Sequence, residues 1–97
     1  MRKITQQAAQ AFLNGERFNS GNTSVSVDAD TIKLYLQGHC IARIDSYGMA
    51  INPRGYATTT TKERLNGLPR VSIVQRNFAW YLNGSKEPMT MNDWTYV

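Results

Sequence analysis

The sequence predicts an α+β fold: an antiparallel meander plus a C-terminal hairpin, an N-terminal helix packed on one sheet face, and a short second helix near 61–66. Three observations lead there. Residues 4–14 place apolar side chains at helical spacing. Residues 25–51 alternate apolar and polar side chains, broken by turn signals. A second alternating stretch, VSIVQRNFAWYL, spans residues 71–82 and stops at Asn83-Gly84. With 97 residues, the chain holds one domain, 1–97, and one modest core.

The first helix follows from Ile4, Ala8, Ala11 and Phe12 on one face, with glutamines opposite. Asn14-Gly15 ends it, because both residues tolerate the left-handed conformation of a helix stop. Across the meander, register is read by matching apolar faces. A loop at Asp28–Thr31 sets Val27 against Ile32 and Val25 against Leu34. A two-residue turn at Gly38-His39 would pair Leu34 with Arg43, so an odd loop length is expected, bringing Leu34 near Ala42 or Ile44. An Asp45–Gly48 turn sets Ile44 against Met49 and Ala42 against Ile51. In the last hairpin, an Arg76-Asn77 turn pairs Ile73 with Trp80 and Val71 with Leu82. The expected core is Phe12, Ile32, Leu34, Leu36, Ile44, Ile73, Phe78, Trp80 and Leu82. The segment from Lys86 to Trp94 is read as able to add an edge strand.

Between meander and hairpin lies GYATTTTKERLNGLP, residues 55–69. Among its four threonines only Thr60 has an acid three residues on, Glu63, which is capping-box spacing. Thr58 and Thr59 then finish an extended segment, Thr60 caps, and the helix stops at Asn66-Gly67 ahead of Pro69.

The composition is that of a globular protein, 41% hydrophobic and 19% charged. No apolar run is long enough to span a bilayer, and no secretory signal is expected. Cys40 is the sole cysteine, so stability must come from packing and a reducing compartment fits. The Asn22-Thr23-Ser24 and Asn83-Gly84-Ser85 sequons carry no weight in that setting.

The net charge of +4 is unevenly spread: residues 1–48 hold five basic against four acidic residues, and residues 49–97 hold six against three. Arg54, Lys62, Arg64, Arg70 and Arg76 face only Glu63 within 54–76. That excess suits nucleic acid or an acidic protein surface.

Catalytic chemistry is poorly supplied. His39 and Cys40 are neighbours that point to opposite faces when extended, so they form no dyad. One histidine and one cysteine make no ordinary zinc site, and Asp28 and Asp30 suit turn geometry. The glycines are scattered and form no phosphate loop. No cofactor and no enzyme activity is expected. Two places suit binding. The start of the second helix offers N–H groups to an anion, beside Arg54, Tyr56, Lys62, Arg64, Arg70 and Arg76. On the outer sheet face the register places Tyr35, Ile41 and Arg43, an interface-like set unless a C-terminal strand or helix covers it.

Taken together, AFLNGERFNSGNTSV, QGHCIA, TTKERLNGLP and WYLNG resemble a family of small accessory proteins encoded by tailed bacteriophages of enteric bacteria. The resemblance runs from the first helix to the last hairpin; the tail departs from it, keeping only Trp94 of a more tryptophan-rich ending. It implies no functional residues. It implies a setting, the cytoplasm of an infected bacterium, and a non-enzymatic protein that binds and inhibits or redirects a host or defence protein. The alternative is non-specific nucleic-acid binding through the basic 54–76 segment. No membrane partner is expected, and sheet edges that pair between chains would give a homo-oligomer.

Overall fold

The computed structural model describes residues 1–97. Helix α1 (Lys3–Asn14) buries Thr5, Ala8, Ala9, Ala11 and Phe12, the face that the apolar spacing marks. Gly15 takes φ 68°, and the N–H groups of Gly15 and Glu16 return to the carbonyls of Phe12 and Ala11. This closes the helix with carbonyls satisfied that would otherwise be orphaned.

The chain then enters a meander: β1 (Phe18–Ser20), β2 (Thr23–Val27), β3 (Ile32–Leu36), β4 (His39–Asp45) and β5 (Gly48–Ile51). After α2 (Thr59–Asn66) come the hairpin strands β6 (Ile73–Arg76) and β7 (Ala79–Leu82), and finally β8 (Thr95–Tyr96). The large sheet runs β1-β2-β3-β4-β5-β8, antiparallel throughout, and β6-β7 form a separate two-stranded ribbon. The fold is α+β as the sequence predicts, with α1 against one sheet face. Strand β1 is an addition to the expected set. An edge strand does form on β5, but it is β8, Thr95–Tyr96, just past the Lys86–Trp94 segment expected to supply it; that segment itself forms no strand.

Apolar matching sets most of the register. Val25 faces Leu34, Val27 faces Ile32, Ala42 faces Ile51 and Ile44 faces Met49, each as expected. The β3–β4 connection corrects one expectation in an informative way. It is a two-residue turn, at Gln37-Gly38, with φ of 51° and 82°, values that suit a turn of the primed type. The odd residue needed to align the apolar faces sits in the strand as a bulge: Tyr35 pairs with Cys40 while Leu34 pairs with Ala42. Ile41 is the extra residue. It turns into the core at 1% exposure, and so does not lie on the outer face where simple alternation puts it.

The hairpin is corrected by one residue. Its turn is Asn77-Phe78, with φ of 50° and 67°, not Arg76-Asn77. Ile73 therefore pairs with Leu82 and Gln75 with Trp80. Ile73 and Trp80 remain buried, but Phe78 leaves the expected core and is 97% exposed. Of the other expected core residues, Phe12, Leu34 and Leu36 are buried, while Ile32, Ile44 and Leu82 pack at the rim.

Helix α2 starts earlier than its capping-box spacing suggests. Thr58, extended at φ −100° and ψ 156°, is the N-cap, and its hydroxyl accepts from the Thr61 N–H at 3.1 Å. Thr60 is not the cap, because Glu63 is engaged elsewhere. The Glu63 carboxylate accepts from the Thr5 hydroxyl at 2.7 Å, tying α2 to the start of α1. Gly67 explains how close the helices come: a Cβ there would lie 2.6 Å from the Thr5 methyl.

Candidate functional site

The six cations and aromatics expected to gather at the second helix are dispersed by the fold. Arg64 is 2% exposed; its guanidinium donates to Thr23 and Thr5 hydroxyls at 3.0 and 2.7 Å and to Glu63 at 2.6 Å. It is a latch between two helices and a strand, and is removed from any anion site. Burial and the neighbouring Arg2 lower its affinity for the proton, and Glu63 opposes both. Lys62 reaches Gln75 at 3.4 Å, and Arg70 is exposed beyond α2. Arg76 lies over the Tyr81 ring at 4.5 Å, on the hairpin. With Thr58 already on the helix start and Arg64 buried, the junction keeps little of the predicted anion site.

Two surfaces emerge instead. The first is the β6–β7 hairpin. Paired residues share a face, so Ile73, Leu82, Gln75 and Trp80 lie on one side and Val74, Tyr81, Arg76 and Ala79 on the other. Asparagines anchor its base. Asn66 donates to the Ile73 carbonyl and accepts from the Ile73 N–H at 3.1 and 2.7 Å. Asn83 accepts from the Ser72 N–H and donates to the Arg70 carbonyl, both at 2.8 Å. At the free end Phe78 projects from the turn, and Val74 on the outer side is 47% exposed. The sequence hides this site because its alternation fits either turn equally well. The available signal is the Asn77 that opens a two-residue turn.

The second surface is the outer face of the meander. Lys33 pairs with Arg43 and Tyr35 with Cys40, so all four side chains point away from α1. Arg54 reaches in from the loop after β5, its Nε donating to the Cys40 carbonyl at 2.9 Å. Cys40 records the crowding. Burial pushes its thiol up, while the charges of Arg54, Lys33 and Arg43 pull it down, and burial prevails. Its Sγ donates to the Ala42 carbonyl at 3.4 Å, so it is no activated nucleophile. His39, which pairs with Leu36, points to the opposite face, where its ring meets Tyr56 with centroids 4.6 Å apart and planes tilted by 37°.

The C-terminal segment covers one end of this face. The Trp94 ring lies 4.3 Å from the Arg43 guanidinium and 5.2 Å from that of Arg54. Asp45 is engaged by the Tyr96 hydroxyl at 2.7 Å, by the Tyr47 N–H at 2.8 Å and by Arg43 at 3.3 Å. The hydrogen bond from Tyr96 is the main cause holding its carboxyl below the usual range. Of the expected interface set, Ile41 is buried and Arg43 lies beside Trp94; Tyr35 remains half-buried on the outer face. Tyr35 and Arg43, from one expected site, thus share a face with Arg54, from the other. No three His, Cys, Asp or Glu side chains come together as a metal site would require. No helix is long and apolar enough to cross a membrane.

The chain matches the model of the Kyanoviridae Gp96 protein family over residues 1–96 and belongs to that family. It is therefore a phage protein, as the sequence resemblance suggests, and the matching family is one of cyanophages. Comparison with curated proteins and with solved structures gives no match.

Proposed function

Taking membership of a phage protein family as the premise, we propose that the chain is a non-enzymatic accessory protein. It acts in the cytoplasm of the infected cell by binding a host or defence protein and blocking or redirecting it. The observation that carries this reading is Phe78. A phenylalanine at φ 67° occupies a backbone region that costs roughly 1–2 kcal/mol for a residue with a Cβ. At 97% exposure it recovers none of that cost from packing. Glycine would make the same turn without strain. A strained and solvated aromatic is explained by a contact outside the domain.

The surroundings specify the partner's chemistry. Val74, Tyr81 and Arg76 flank the tip on the outward side, a combination of aromatic, aliphatic and arginine groups that suits a protein pocket. From Arg64 to Lys86 the chain has no acidic residue, so an apolar pocket with an acidic rim complements it.

Capture from nuclease-treated host lysate tests the reading. The wild-type chain should retain one protein in a saturable manner, and Phe78→Gly should lose it while staying folded. Equal retention by both chains refutes the hairpin as the binding element. Disappearance of every partner on nuclease treatment refutes protein binding. Self-association that Phe78→Gly abolishes would identify the partner as a second copy.

A further inference from the structure

We propose that the outer face of the meander is a binding site for single-stranded nucleic acid, independent of the hairpin. Lys33 and Arg43 pair across β3 and β4 beside Cys40, and Arg54 reaches the Cys40 carbonyl at 2.9 Å. Asp45, the acid beside them, is already engaged by Tyr96, Tyr47 and Arg43. One carboxylate against Lys33, Arg43 and Arg54 leaves the face with a net positive charge, and its complement is an anion. Beyond Tyr35 the face continues as an open groove of about 650 Å³, lined among others by Arg17, Asn19, Ser24 and Ser26. From β1 to β5 it crosses five strands, about 19 Å at the usual strand spacing. Three cations cluster on β3 and β4 and Arg17 stands at the groove beyond Tyr35, an extended arrangement that suits a polymer of phosphates more than a single ion.

The aromatic groups decide between nucleic acid and an acidic protein. Tyr35 stands between the groove and the cations, and the Trp94 ring lies over Arg43 and Arg54. Rings set among cations on a flat sheet are the elements that stack unpaired bases. The strand residues here are serines, lysine, arginine and tyrosine, with none of the exposed aliphatic surface that the hairpin shows. A duplex would offer the phosphates but not the base faces, so single strands are favoured.

Fluorescence anisotropy with a labelled oligothymidine and the matching oligouridine tests this. Four phosphate contacts on a single strand give a log–log salt slope of about −2.8, so affinity should fall about 50-fold between roughly 50 and 200 mM salt. Lys33→Gln/Arg54→Gln should bind more weakly, with the fall reduced to about sevenfold. Arg2→Gln/Lys3→Gln removes the same charge elsewhere and should change little. Thermal melting checks that each variant is folded. In the unaltered chain, the oligonucleotide should slow alkylation of Cys40, a readout that needs no substitution. Phe78→Gly should bind oligonucleotide normally, which separates this site from the hairpin. Equal loss in both double variants, equal affinity for duplex, full competition by an acidic polypeptide, or unprotected Cys40 would each overturn the proposal.

Discussion

Replacing Phe78 with glycine should raise stability, an unusual expectation for deletion of a large apolar side chain. The strain at φ 67° is worth roughly 1–2 kcal/mol, and glycine releases it. Against that, glycine gives the unfolded chain more freedom, costing roughly 0.5–1 kcal/mol relative to alanine. Almost no buried area is lost, because the ring is 97% exposed. The net gain is about 0–1.5 kcal/mol, its middle value of about 0.75 kcal/mol corresponding to about 3–6 °C in Tm for a domain of this size.

Thermal melting by circular dichroism, with urea unfolding at one temperature, measures it. The opposite sign is just as informative. If the turn were Arg76-Asn77, Phe78 would share the inner face with Trp80 and Leu82. Its removal would then cost several kcal/mol, roughly 3–5 by analogy with buried phenylalanines cut to alanine. A clear fall in Tm refutes the observed register, and with it the argument that Phe78 is spare for binding.

Three further outcomes are expected. Thr58→Ala should destabilise by about 1 kcal/mol in urea unfolding, whereas Thr60→Ala stays within about 0.5 kcal/mol, because Thr58 is the cap. Gly67→Ala should cost about 1–3 kcal/mol through its overlap with the Thr5 methyl, although its φ of −74° suits alanine. In a Thr5→Ser background, which keeps the hydroxyl and removes the methyl, the same change should become neutral or stabilising. The Glu63 carboxyl is pushed up by burial, but the Thr5 hydrogen bond and the charges of Arg64 and Arg2 outweigh this and set it below its ordinary value of 4.5. As pH falls below about 4.5 the unfolded chain takes up that proton first, so stability is lost until the folded carboxyl titrates too. Glu63→Gln should start less stable at neutral pH and show a shallower loss in acid, followed by Tm against pH.

Most of the meander was legible because a one-residue slip flips every side chain, so apolar matching leaves few registers. Val25 opposite Leu34 and Ile44 opposite Met49 follow from that rule alone. The rule fixes parity, not place. It required an odd residue between β3 and β4 but could not say whether loop or strand held it. The bulge at Ile41 was the strand solution. In the last hairpin, both turns bury Ile73 and Trp80, so alternation could not choose. Turn chemistry decided, with Asn77 suited to positive φ and Phe78 tolerating it at a cost. Arg64 was misread for a different reason. A lysine- and arginine-rich helix start looks solvated, and nothing local reveals that Thr5 and Thr23, far away in sequence, close over the guanidinium.

The residues that the core does not use define where function is to be sought. The inner sheet face, α1, the inner side of the hairpin, and Leu65, Leu68 and Val71 on and after α2 account for the buried apolar core. What remains is unlike a generic surface. Phe78 violates the preference of its turn, and Lys33 sits across from Arg43 on neighbouring strands, where like charges repel. Local conflicts of this kind lower stability without serving the fold, so they point to contacts made with something else. The C-terminal segment joins the two places: the Met89 N–H bonds the Trp80 carbonyl on β7, and Trp94 reaches Arg43 on β4. Its path ties the hairpin to the cationic face, so a protein held by the tip and a strand held by the sheet would be brought together on one domain.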